Sequence, residues 1–287
     1  MPDTLRVAAA QIESIPNDIA ANLRKHHDMI DAARAAGVDV LVFPELSLTG
    51  HGSGRAASRL AFTRDHAHVA ALARASGDML TLFGAIERNN ERFYNAVFAV
   101  RTGALVHVHR KINLATYGKL DDGKHFVNGT RIDTFHAHAG DDIWRAAAMI
   151  CADTWNPPLV HLAAVQGATL MLVAVSSALE AVGGDFDNPC GWDINLRFHA
   201  LTYGMPIVMA NRVGVEEDLT FWGGSRVVNP HGHVEAEATS RDEQLVQAVI
   251  DIEDVRRARA LLPTVRDANL PLLGSETMRL LSRHDRL

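Results

Sequence analysis

The sequence predicts an α/β layered fold, and three observations carry the prediction. Strand-like apolar runs alternate with helix-periodic stretches through most of the chain. The opening reads as a strand–helix–strand unit with its own cap and stop signals. A second pattern of the same kind begins near Trp144, after a stretch of strands joined by tight turns.

In the first unit, Leu5 to Gln11 reads as a strand. Asn17 or Asp18 can cap a helix that carries Ile19, Leu23, Ile30 and Ala33 on one face; Gly37 stops it, and Val38 to Phe43 forms the next strand. Arg64 to Ser76 reads as a helix ended by Gly77. The strands Met79 to Ile86, Phe93 to Val100 and Ala104 to His109 follow, the last two joined by a turn at Arg101-Thr102-Gly103. In the second pattern, Trp144 to Ile150 is apolar enough for a buried strand, and Asn156-Pro157-Pro158 opens a helix that Gly167 closes. Thr169 to Val175 is another buried strand. A loop from Ser176 to Cys190, a helix from Trp192 to Tyr203 and a strand from Pro206 to Asn211 come next. The last third adds strands over Phe221 to Val228, Val234 to Ala238 and Leu245 to Ile250, with Asn229-Pro230-His231-Gly232 as a turn. Glu253 to Leu262 is expected to be the last helix, stopped by Pro263.

The 287 residues are 47% hydrophobic and 22% charged, which suits a large core, and no repeat or linker divides the chain, so one domain over 1–287 is expected. Net charge is −6, from 28 basic and 34 acidic residues spread along the sequence, so nothing invites nucleic acid. No charged-then-apolar leader opens the chain, and no apolar run approaches the roughly 18 residues of a membrane span, so a soluble cytoplasmic protein is expected. With two cysteines, a disulfide framework is not expected and a four-cysteine metal site is impossible within one chain.

Three separated words carry the chemistry: Phe43-Pro44-Glu45, Arg110-Lys111 and Met149-Ile150-Cys151-Ala152-Asp153. A strand ending in a carboxylate, one ending in an ammonium and one ending in a thiol supply a general base, an oxyanion partner and a nucleophile. Cys151 occupies a strand-to-helix elbow, where a helix N-terminus would favour the thiolate. By itself it could equally be a small buried hydrophobe. Cys190, between Pro189 and Gly191 in the loop, has no activating setting. Glu45 emerges from a nearly all-apolar run, and that desolvation suits a base working near neutrality. A period of two places His107, His109 and Lys111 on one side of their strand.

Together these words resemble the nitrilase superfamily of carbon–nitrogen hydrolases over nearly the whole chain. Phe43 to Gly50 is similar to that family's glutamate motif. Tyr94-Asn95 with Gly103 and Arg110 to Leu114 is similar to its lysine motif, Ile150 to Asp153 to its cysteine motif, and Phe221 to Ser225 through Pro230-His231-Gly232 to its late hairpin. The resemblance implies a four-layer αββα sandwich in which Glu45, Lys111 and Cys151 converge. It also implies a hydrolase without cofactor or metal that cleaves a small carboxamide through a cysteine thioester and releases ammonia. A nitrile or an N-carbamoyl compound is the alternative substrate, and a homodimer or larger homo-oligomer is implied. Thr116-Tyr117-Gly118, Asp121 to Phe126, Cys151 to Trp155 and Asn211 to Glu216 look most like the branch holding glutaminase domains of NAD synthetases and stand-alone relatives. Where many members carry a second glutamate, this chain has Asp122, one methylene shorter, expected to orient Lys111; Asp121 is the neighbouring candidate. Specificity is expected in the loops Gly50 to Arg59, Tyr117 to Asn128 and Ser176 to Trp192, with Tyr117, His125, Phe126, Trp155, Ser176 and Trp192 as substrate-binding candidates.

Two rival readings come from other classes. The pairs His66/His68, His107/His109, His136/His138 and His231/His233 are of the kind that can bind Zn²⁺ in metal-dependent amide hydrolases. A catalytically silent homologue that binds a metabolite or partner protein is the other, with Asp122 as its only support.

Overall fold

The computed structural model describes residues 3–138 and 143–284; residues 1–2, 139–142 and 285–287 lie outside it, Met1-Pro2 at the start among them. In chain order the first part runs β1 (Thr4–Gln11), α1 (Ile19–Ala35), β2 (Val40–Val42), α2 (Ala57–Leu60), α3 (Ala67–Ser76), β3 (Leu80–Asn89), β4 (Arg92–Arg101) and β5 (Ala104–Arg110). The second part runs β6 (Thr134–His136), β7 (Arg145–Ile150), α4 (Pro157–Val165), β8 (Leu170–Val175), α5 (Asn188–Tyr203) and β9 (Ile207–Asn211). After it come the strands β10 (Val213–Glu216), β11 (Leu219–Trp222), β12 (Arg226–Val228), β13 (Val234–Glu237) and β14 (Gln244–Asp251), then the helices α6 (Ile252–Leu261) and α7 (Leu270–His284).

Two six-stranded sheets result, in the orders β14-β1-β2-β3-β4-β5 and β13-β12-β9-β8-β7-β6, with β10 and β11 as a separate hairpin. Strand alternation builds the layers. Val7 and Ala9 of β1 and Val40 and Val42 of β2 pack in one cluster with Ala146, Ala148 and Ile150 of β7 and Leu172 of β8, so the sheets meet face to face. The intervening Ala8, Ala10 and Leu41 pack with Ile30 and Ala33 of α1 and Leu72 of α3. On the far side, Ala147, Met149 and Val173 pack with Val160 and Ala163 of α4 and Leu196 and Ala200 of α5. The architecture is therefore helix, sheet, sheet, helix. No helix among the described residues is long and apolar enough to cross a membrane.

Local chemistry explains where the elements depart from expectation. β2 is three residues long because Pro44 cannot donate to a ladder and Leu46 turns the chain at φ 51°. The single strand expected over Phe221 to Val228 is two strands in different sheets. Gly223 and Gly224, at φ +70° and +64°, break it, and a Cβ at Gly223 would lie 2.7 Å from the Gln11 side-chain oxygen. α5 starts at Asn188, ahead of Trp192, because the Asp187 carboxylate accepts the Cys190 N–H at 3.1 Å; Cys190 therefore sits in a helix's first turn and not in a loop. Past Pro263, α7 adds a helix beyond the one expected to be last.

Candidate active site

Parallel pairing of β1, β2 and β3 in one sheet and of β7, β8 and β9 in the other aims their carboxyl ends at one edge, where α/β folds gather ligands. Glu45 follows β2, Cys151 follows β7 and Ser176 follows β8. The Glu45 turn passes directly over Gly84 of β3. A Cβ there would sit 2.3 Å from the Leu46 nitrogen and 2.6 Å from the Pro44 oxygen, so only glycine admits the turn.

Glu45 is held by three donors. Its Oε1 accepts from Lys111 Nζ at 2.6 Å and from Asn95 Nδ2 at 2.7 Å, and its Oε2 accepts from the Ser176 N–H at 3.0 Å. Lys111, one residue past β5, also donates to Asp122 Oδ2 at 2.6 Å. The shorter Asp122 side chain thus reaches the ammonium, while Asp121 lies 3.3 Å from the His125 ring and 3.7 Å from Lys124. Glu45 and Lys111 are almost fully buried.

Cys151 opens a 3₁₀ turn, Cys151–Trp155, with φ 44°, and α4 begins only at Pro157. The helix terminus expected to activate the thiol is therefore displaced from it. Burial and the Glu45 carboxylate push the Cys151 thiol well up, outweighing the Lys111 ammonium and the Ser176 N–H. A neutral thiol needs a base, and the Ser176 N–H that opposes its shift is the same one bound to Glu45. Burial alone would push the Lys111 ammonium down, but Asp122 and Glu45 reverse this and hold it well above its ordinary range. Burial would raise Asp122, and Lys111 more than offsets it, leaving that carboxyl below its usual range.

Asp153 joins two of the three sequence words. Its Oδ1 accepts the Ile112 and Asn113 N–H groups at 3.0 and 2.8 Å, and its Oδ2 accepts the Ile150 N–H at 3.1 Å and lies 2.9 Å from His109 Nε2. The chain flanking Lys111 is thereby tied to the chain flanking Cys151. Asn95 and Asp153 fall within the sequence motifs, but their roles have no local signal, because the partners lie 50 and about 40 residues away.

A cavity of about 300 Å³ opens over the thiol, lined by Tyr117, Trp155, Ser176 and Trp192 together with Leu120, Ser177, Phe186 and others. His125 and Phe126 are placed elsewhere. Both line a smaller neighbouring recess, and Phe126 packs with Leu46, Leu60 and Ile86. The histidine pairs are dispersed. His66 and His68 pack on Phe62, and His107 stacks on Phe135 at 4.5 Å with its pKa pushed down to about 4, chiefly by burial. Among the described residues no three His, Cys, Asp or Glu side chains group so as to hold a metal ion.

The carbon-nitrogen hydrolase family pattern matches residues 6–260. A glutamine-dependent NAD(+) synthetase from Thermotoga maritima is 30% identical over 267 residues, covering 91% of this chain and 45% of the synthetase. The chain thus spans less than half of that relative's length. An (R)-stereoselective amidase from a Pseudomonas species is 28% identical over 281 residues, covering 95% of this chain and 94% of the amidase. Among solved structures, a carbon-nitrogen hydrolase from Helicobacter pylori superposes with a TM-score of 0.84 at 21% identity, covering 96% of this chain and 98% of that one. Sequence and fold agree, and the chain belongs to the carbon–nitrogen hydrolase family.

Proposed function

We propose that this hydrolase cleaves the C–N bond of a small carboxamide through a thioester on Cys151. The observation that carries the reading is the buried Glu45–Lys111–Asp122 chain beside a thiol that faces a cavity. As sulfur bonds to the carbonyl carbon, the thiol proton passes to Glu45. An ammonium has three N–H donors, and Lys111 spends two on Glu45 and Asp122. The third is available for the developing oxyanion, with the Ala152 N–H as a second donor. Glu45 then protonates the departing nitrogen, which leaves as ammonia. Water next attacks the thioester and gives its proton to Glu45; the carboxylic acid departs and sulfur regains its proton. Asp122 is the positioning residue for Lys111.

Ammonia release from a panel of amides, nitriles and ureido compounds tests this. Cys151→Ala is expected to lower turnover at least about 1,000-fold with an unchanged far-UV spectrum, and iodoacetamide should do the same to the parent enzyme. Full activity in that variant rejects the mechanism. A preference for nitriles or ureido compounds would replace the carboxamide and leave the thiol chemistry standing.

A further inference from the structure

The cavity above Cys151 has a character of its own. Among the described residues, none of those lining it carries a charged side chain. Tyr117, Trp155, Val182 and Phe186, all among the large apolar residues that remain solvent-exposed, face this one space. Apolar surface gathered in one concavity marks a ligand site. The Trp155 ring meets Phe186 edge-on at 5.8 Å and Trp192 at 5.3 Å, forming a continuous aromatic wall. α5 accommodates that wall with Gly191, where a Cβ would lie 2.8 Å from Phe186 and 3.1 Å from Trp155. Glycine inside a helix costs about 1 kcal/mol relative to alanine, so its presence here has a packing reason.

Several polar groups of the lining are engaged within the protein. Ser176 Oγ lies 3.0 Å from His51 Nδ1, Ser177 Oγ accepts both the Trp192 and Trp222 indole N–H groups at 3.0 and 3.2 Å, and Asn188 Nδ2 donates to the Ala178 carbonyl at 2.8 Å. The neighbouring recess holds only about 60 Å³, and its cations face carboxylates: Lys119 meets Asp218, and Arg55 lies 3.7 Å from Glu217. The α-ammonium and α-carboxylate of glutamine would meet no oppositely charged side chain among the residues lining this cavity, and charge without a counter-charge is disfavoured in such apolar surroundings.

We propose that the acyl group of the substrate is uncharged and apolar, aryl or branched alkyl, seated against the Trp155–Phe186–Trp192 wall, and that glutamine is not the substrate. The inference rests on the Cys151 amidase reading but departs from the glutaminase likeness of the sequence. Benzene needs about 150 Å³, so 300 Å³ takes an arylacetyl group with room for the carbonyl to reach sulfur.

The test compares ammonia release from phenylacetamide, acetamide and L-glutamine. Phenylacetamide is expected to show a kcat/KM about 10- to 100-fold above acetamide and to exceed L-glutamine by at least about 100-fold. Trp155→Ala, and separately Phe186→Ala in the loop, should bring the phenylacetamide-to-acetamide ratio towards one. Preference for glutamine, equal use of the two amides, or an unchanged ratio in both variants overturns the proposal. A second readout is independent of turnover: protection of the Cys151 peptide from iodoacetamide, followed separately from Cys190. Protection by phenylacetamide with no ammonia from any amide sinks the amidase reading and keeps the pocket assignment. Protection by glutamine alone, or by neither compound, sinks the pocket assignment.

Discussion

Glu45 and Trp155 both serve the space around Cys151, and they are fixed there in different ways. Each Glu45 oxygen is engaged by a donor at 3.0 Å or less, and the side chain is almost fully buried. Trp155 is 37% exposed and is positioned by ring edges. Directional bonds hold the charged floor, because a buried carboxylate beside a buried ammonium persists only when each is paired. Shape holds the wall, since dispersion contacts are weak singly and tolerate substitution. The floor is accordingly suited to chemistry common to every substrate, and the wall to choosing among substrates.

Removing the floor's cation should have the larger effect. Lys111→Met leaves Glu45 and Asp122 buried without their shared partner, a change of the kind that costs about 3–5 kcal/mol, and it deletes the proposed oxyanion donor. Urea unfolding should show a loss of that size, and turnover should fall at least about 100-fold on every substrate alike. A stability near that of the parent would mean the two carboxylates are not held by Lys111, and the contrast with the wall would lose its basis.

Disturbing the wall's support should do less. Ser177→Ala removes the hydroxyl that accepts two buried indole N–H groups, and each unpaired donor costs about 1–3 kcal/mol less any relief from water. The expected result is a lowered denaturation midpoint with KM rising more than kcat falls. If instead kcat dropped as in Lys111→Met while KM stayed constant, floor and wall would not be separable.

The parts differ in how far the sequence reveals them. The apolar runs of β1, β7 and β8 are written in local residues, so these strands were legible from Leu5 to Gln11 and from Trp144 to Val175. The three site words were legible because each reactive side chain sits just past a strand. What escaped depends on distant pieces of chain. The break between β11 and β12 follows from Gly223 meeting Gln11, more than 200 residues earlier. The roles of Asn95 and Asp153 follow from a carboxylate and backbone amides on other strands. Phe126 is aromatic and close in sequence to Asp122, yet its ring fills a hydrophobic cluster; nothing local separates it from Trp155, which faces the cavity.

The central claim is that Cys151 sulfur carries the acyl group during turnover. A nitrophenyl ester of the substrate acid, whose leaving group departs fast enough to make thioester hydrolysis the slow step, should let that species accumulate. Acid quench followed by peptide mass spectrometry should then show one acyl group on the Cys151 peptide, none on the Cys190 peptide, and none at either place in Cys151→Ala. Steady ester and amide hydrolysis with no acyl mass on Cys151, or with the acyl group on another residue, would contradict the account.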